Sequence, residues 1–182
     1  MDVLDNNASS GMMQPITVNG VGQSLSFRCM KTAFAFPIER VREIIEYGQV
    51  TTVPLMPGYV KGVINLRGNV VPVIDLSHRF GGPVTEIGNR TCIIILEMPT
   101  GHSVQSAGLI VDAVDEVLDI EANQIEPPPE FGAGISSQFI LGMARRDNGF
   151  LIILKAEALF TEDEMDRIQS SQLHPEQVLL SE

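Results

Sequence analysis

Four carboxylates stand close together in the chain: Asp112, Asp115, Glu116 and Asp119. Paired carboxylates in a cleft, with pKa values pushed apart, can share the work of a general acid and a general base. Asp112 and Asp115 would be the pair for a small β-barrel hydrolase. The same spacing fits a solvated acidic edge, where clustered negative charge discourages pairing with another strand. The three histidines, His78, His102 and His174, lie in unlike settings and have no metal-ligand spacing among them. The chain has no G-x-S-x-G, Walker loop or G-x-G-x-x-G. Gly132-Ala133-Gly134-Ile135-Ser136 lacks the lysine and the preceding strand of a phosphate loop, and reads as a flexible loop. With no catalytic set, metal or cofactor indicated, the residues favour a binding module over an enzyme.

Composition narrows the partners. Lys+Arg is 12 against 23 Asp+Glu, a net charge of −11. An acidic chain with no basic stripe is a poor candidate for nucleic acid or an anionic membrane. No run approaches the ~18 apolar residues of a membrane span. The first residues, MDVLDNNASSGMMQ, carry no basic region and no apolar stretch, unlike a secretory signal. Cys29 and Cys92 sit in apolar runs and read as two buried thiols in a reducing cytoplasm. Hydrophobic content is 44%, enough for a sizeable core, and with 5% aromatics and no Trp an aliphatic core is expected.

The elements that would position a site centre on Lys61 to Phe80, KGVINLRGNVVPVIDLSHRF. Two apolar arms flank a turn, read as Gly68-Asn69, and a short helix follows. Arg67 stands at the tip, where a cation is easily solvated. Pro72 lacks an N–H, so an unpaired or bulged edge is expected there. Upstream, residues 1–23 lack periodicity and read as a mobile tail. Leu25, Phe27 and Cys29 alternate with Ser24, Ser26 and Arg28 as a half-exposed strand, and Phe34-Ala35-Phe36 returns beside it. Ile38, Val41, Ile44 and Ile45 fall on one helical face, which predicts a short helix opened by Pro37. Val50 to Val53 reads as a further strand. Cys92 to Met98 is a near-continuous apolar strand, and Ser103 to Val111 returns from it. Val111, Val114 and Val117 recur every third residue, a spacing compatible with a strand or a helical turn. A last hairpin joins Phe139–Ala144 to Phe150–Leu154 across Asp147-Asn148-Gly149. Thr161 and Glu164 form a capping box for a C-terminal helix over residues 161–173, with a tail at 174–182.

Two segments echo each other. With Gly62 set on Gly142, Val70, Val71, Val73 and Ile74 fall on Phe150, Leu151, Ile153 and Leu154, and Phe80 falls on Phe160. Ile38-x-x-Val41-x-x-Ile44 likewise matches Val111-x-x-Val114-x-x-Val117. This suggests two similar small β units side by side, and many short strands with Gly and Pro turns suggest barrels. The order of the elements implies that the first barrel does not draw only on N-terminal strands. The second is expected over roughly residues 90–154.

GVINLRGNVVPVIDL resembles the signature of the CheW family, the adaptors of bacterial chemosensory arrays. FAFPIERVREII, GLIVDAVDEVLDI and ILGMARRDNGFLIIL match in order and spacing, so the resemblance covers roughly Leu25 to Asp166 within a domain at residues 24–173. It implies a mainly β fold of two five-stranded SH3-like barrels with short helices. It implies a non-catalytic, cofactor-free cytoplasmic scaffold, recruited to membrane-associated receptor arrays, that joins the chemoreceptor cytoplasmic tip to the regulatory domain of the histidine kinase CheA. Carried over by motif, the receptor contacts are Val41, Glu43, Gly62, Arg67 and Val114. Arg67 would pair with a carboxylate or bond backbone carbonyls at a groove. The kinase contact would lie on apolar residues at the end of the second barrel, which no motif pins. An adaptor of the same fold in another chemosensory pathway, such as one governing surface motility, fits the same residues.

Overall fold

Successive side chains of a strand point to opposite faces, so a strand buried along its length lies between two cores. The segment Cys92–Thr100 is such a strand: Ile93, Ile94, Ile95 and Leu96 are each at most 1% exposed. Ile93 and Ile95 join Ile64, Val71, Val73 and Ile110 in one cluster. Ile94 and Leu96 join a second, larger one. The computed structural model describes residues 22–100, 103–128, 135–147 and 149–160. It repeats this plan throughout: two β-barrel subdomains, each with a small core of its own, and a shared core between them.

In chain order the strands are β1 Gly22–Cys29, β2 Thr32–Pro37, β3 Val41–Glu46, β4 Val60–Leu66, β5 Asn69–Asp75, β6 Cys92–Thr100, β7 Ser103–Val111, β8 Ala113–Ile120, β9 Ile125–Glu126, β10 Ile140–Arg146 and β11 Gly149–Leu154. A short helix, α1 Leu76–Arg79, follows β5. Barrel 1 has the strand order β3-β6-β7-β5-β4, and barrel 2 the order β8-β1-β2-β11-β10-β9. Within each, one pairing is parallel: β5 with β7, and β11 with β2.

The division of the chain corrects the expected one. Residues 92–111 pair with barrel 1, so the second unit is not residues 90–154. It is β8 to β11 joined by the N-terminal hairpin β1-β2. The expected echo holds to the residue. Val60 faces Ile74 and Gly62 faces Val73 in β4-β5, while Ile140 faces Leu154 and Gly142 faces Ile153 in β10-β11, every partner 80 positions on and the register shift in the same place. Val41 faces Leu96 and Ile44 faces Ile94, while Val114 faces Phe27 and Val117 faces Leu25. The chain is therefore two repeats, β1 to β5 and β6 to β11, whose leading hairpins have changed places.

Several local expectations are revised. The helix expected over Ile38–Ile45 is a 3-10 turn, Ile38–Arg40, followed by strand β3. Gly22 and Gln23 belong to β1 and not to a tail, and residues 1–21 lie outside the described set. Val50–Val53 is reduced to one bridge, Thr51 to Val63. The hairpin turn is Arg67-Gly68, one residue earlier than expected, because Leu66 pairs with Asn69. Pro72 pairs with Val63, and the parallel pairing to β7 begins only at Val73, beyond the missing N–H. Val114 and Val117 lie on a strand. Cys29 is fully buried, and burial pushes its thiol up to about 12, but Cys92 is only partly covered. The expected helix at 161–173, the tail at 174–182, and His102 and His174 lie outside the described residues.

The shared core is aromatic at its centre, contrary to the aliphatic expectation. Phe36, Phe27, Phe34, Phe80 and Phe139 form a continuous file with ring centroids 5.3, 5.8, 5.6 and 5.4 Å apart. A low aromatic fraction does not disperse aromatics when the register directs them to one place. Each buried phenylalanine contributes roughly 1.5–3 kcal/mol of transfer free energy, so the strongest apolar burial lies at the junction of the barrels. Arg79 closes one side. Its guanidinium lies 4.7 Å from the Tyr59 ring centre and 4.9 Å from that of Phe139, and its Nε donates to the Leu159 carbonyl at 3.0 Å.

Candidate functional site

Arg67 and Gly68 both take positive φ, 53° and 88°, as a two-residue type I′ turn demands. Glycine accepts this freely, whereas arginine incurs a cost of roughly 1–2 kcal/mol. The Asn65 carboxamide oxygen steadies the turn by accepting from the Gly68 N–H at 2.9 Å. The turn presents the guanidinium to Glu43: Nη1 donates to Oε2 at 2.6 Å and Nη2 to Oε1 at 2.8 Å, a two-pronged ion pair. Glu43 stands on β3 and Arg67 on the β4-β5 turn, the two edges of one five-stranded sheet. The pair therefore latches the barrel shut.

The register explains its position. Glu43 faces Ile95, and Ile45 faces Ile93, on the side that lines the barrel 1 core. The latch thus sits at the mouth of that core. Its hydrogen bonds to Arg67 hold the Glu43 carboxyl below the usual carboxylate range. A depressed folded-state pKa gives a contribution present above the unfolded value of 4.5 and lost as pH falls through the folded value. Arg67→Gln is expected to move the Glu43 midpoint upward in a carboxyl-detected NMR titration; an unmoved midpoint would show that the latch does not control it.

The other expected site residues lie on β3, β4 and β8. Val41 and Val114 occupy equivalent places in the two repeats, each half-buried against the shared core. Gly62 is buried. A Cβ there would run into the Thr51 carbonyl, and its φ is 149°. It lets the Thr51 segment cross β4, where Thr51 and Val63 exchange hydrogen bonds of 2.9 and 2.8 Å. Gly142 serves the same crossing in barrel 2, under Ile125 and Glu126. Asp112 and Asp115 do not form the pair that a hydrolase needs. Asp112 accepts from the Met30 N–H at 3.1 Å and holds the β1-β2 turn, while Asp115 pairs with Arg28 at 3.4 Å.

Sequence reasoning missed the exposed apolar residues. Ile44 follows Glu43 on β3, Val70 lies three residues after Arg67 on β5, and they are 41% and 43% exposed. Their counterparts in barrel 2, Val117 and Phe150, are 50% and 47% exposed. The same positions are bared in both repeats, and the offset of 80 already placed Val70 on Phe150. Barrel 2 adds exposed Leu141, and Arg145 over the Phe150 ring at 5.5 Å, itself bound to Glu126 at 2.6 Å. Among the described residues no helix is long and apolar enough to cross a membrane.

Comparison with known proteins agrees with this fold. The family model described as a CheW-like domain matches residues 23–164. "Chemotaxis protein CheW" of Klebsiella aerogenes is 36% identical over 146 residues, covering 80% of this chain and 86% of that protein. "Probable chemotaxis protein CheW" of Rhizobium etli is 35% identical over 147 residues, covering 81% and 92%. The crystal structure of the scaffolding protein TtCheW from Thermoanaerobacter tengcongensis superposes with a TM-score of 0.71 at 37% identity, covering 79% of this chain and 94% of that one.

Proposed function

The chain belongs to the CheW-like domain family, and we propose from that premise that it is a chemotaxis adaptor coupling chemoreceptors to the histidine kinase CheA in the cytoplasm. The observation that carries the site is the Arg67–Glu43 latch with exposed Ile44 and Val70 on β3 and β5. A charged, geometrically fixed pair and exposed apolar residues on these strands suit a helical partner, since the apolar residues supply affinity and the pair supplies register. The receptor tip docks on barrel 1 and on the half-buried residues Val41 and Val114 at the edge of the shared core. Gly62 acts behind this surface by keeping β4 and the Thr51 segment together. The kinase regulatory domain docks on barrel 2, where Leu141 and Phe150 offer an apolar contact.

The test is a pull-down with the wild type, Arg67→Glu and Val41→Lys against a receptor cytoplasmic fragment and the kinase. Arg67→Glu sets two like charges at the latch, and Val41→Lys sets a cation at the edge of an apolar core. Each is expected to weaken receptor capture at least about tenfold, equivalent to about 1.4 kcal/mol, and to leave kinase capture intact. Equal loss of both partners by a folded variant would sink the assignment of separate faces.

A further inference from the structure

The two repeats differ at one mouth. In barrel 1 the opening is latched by Arg67 and Glu43 and backed by Ile95. The equivalent positions in barrel 2 are Asp147, Glu116 and Ser26. The cation of the latch is replaced by a carboxylate, and a large apolar side chain by a hydroxyl. Ser26 Oγ donates to the Glu116 carbonyl at 2.8 Å and accepts from its N–H at 3.2 Å, so the floor is satisfied locally. Two like charges cannot pair as Arg67 and Glu43 do, and a groove of about 660 Å³ lies at this mouth, lined by Ser26, Glu116 and Asp147 with Leu118 and Leu151.

The charges on its rim divide into committed and uncommitted groups. Arg28 is held by Asp115 and Arg145 by Glu126. Glu116, Asp147, Lys31 and Arg146 form no side-chain ion pair among the described residues. A guanidinium offers the planar fork that carboxylates accept best. Lys31 and Arg146, unpaired among the described residues, suit a carboxylate next to it.

We propose that the mouth of barrel 2 receives an arginine, with an adjacent acidic residue, from a segment of a protein partner. The partner supplies to Glu116 and Asp147 the cation that Arg67 supplies to barrel 1 within the chain. The acidic neighbour meets Lys31 and Arg146. This rests on the repeat geometry alone and stands apart from the identity of the receptor or kinase.

The probe is the capped dipeptide N-acetyl-Arg-Asp-amide, titrated into the full chain and followed by amide NMR. The control carries citrulline for arginine, the same shape without the charge. Saturable shifts are expected at Ser26, Glu116, Asp147 and Gly149, at least tenfold weaker with citrulline. Asp147→Arg builds the latch within the chain and is expected to abolish these shifts. Asp147→Asn, a milder change in an exposed turn, is expected to weaken binding severalfold. Equal binding of both peptides, binding unchanged in folded Asp147→Arg, or no shifts at these amides would each overturn the proposal.

Discussion

Gly62→Ala is expected to destabilise the protein by about 3 kcal/mol, the sum of roughly 1–2 for a side chain at positive φ and roughly 1–3 for overpacking. The new methyl would meet the Thr51 carbonyl, a backbone atom that cannot swing aside. Either Thr51 withdraws and loses both hydrogen bonds to Val63, or β4 shifts and carries the Arg67 turn with it. For a chain of this size the loss lowers Tm by roughly 6–12 °C. Thermal unfolding measures the first effect, and receptor capture by the folded fraction measures the second. A Tm within 2 °C of wild type would show that the crossing tolerates a side chain.

Asp75→Ala carries the other large penalty. Asp75 is 1% exposed, and its carboxylate accepts from the Thr85 N–H at 2.8 Å, the Thr85 hydroxyl at 2.7 Å and the His78 N–H at 3.4 Å. These bonds cap α1 and bind the returning loop to the end of β5. Alanine leaves the buried Thr85 donors without an acceptor, at about 1–3 kcal/mol each, and the loss of the cap adds about 1. The total is on the order of 3–7 kcal/mol, against near neutrality for most surface substitutions. Urea unfolding should show a lower midpoint with an unchanged slope. Thr85→Val removes the hydroxyl but spares the N–H bond, so it should cost less. A Thr85→Val loss equal to that of Asp75→Ala would place the weight on packing.

Much of this was legible because side-chain alternation is a strong signal. The hairpins, the near-continuous burial of β6 and the echo at an offset of 80 all follow from apolar spacing. The misread helix at Ile38–Ile45 has a physical cause. A register shift lies between Val41 and Glu43, so two residues of β3 oppose one of β6. The extra residue, Arg42, puts Val41 and Ile44 on one face three positions apart, which imitates helical period. The same shift in β8 produced the spacing of Val114 and Val117. The latch was harder to see. Arg67 and Glu43 are 24 residues apart and meet only because the sheet curls its edges together. The exchange of hairpins was hinted at by element order, but no spacing in the sequence says which strands cross.

That exchange has a bearing on ancestry. Ser26 of the first repeat is bonded to Glu116 of the second, 90 residues away. Each barrel owes two strands to the other half of the chain, so neither repeat closes a barrel alone. A gene encoding one repeat would yield a complete fold only as a pair of copies trading hairpins. Its fusion into a single chain would have freed the two mouths to diverge, one now carrying an arginine and the other an acid.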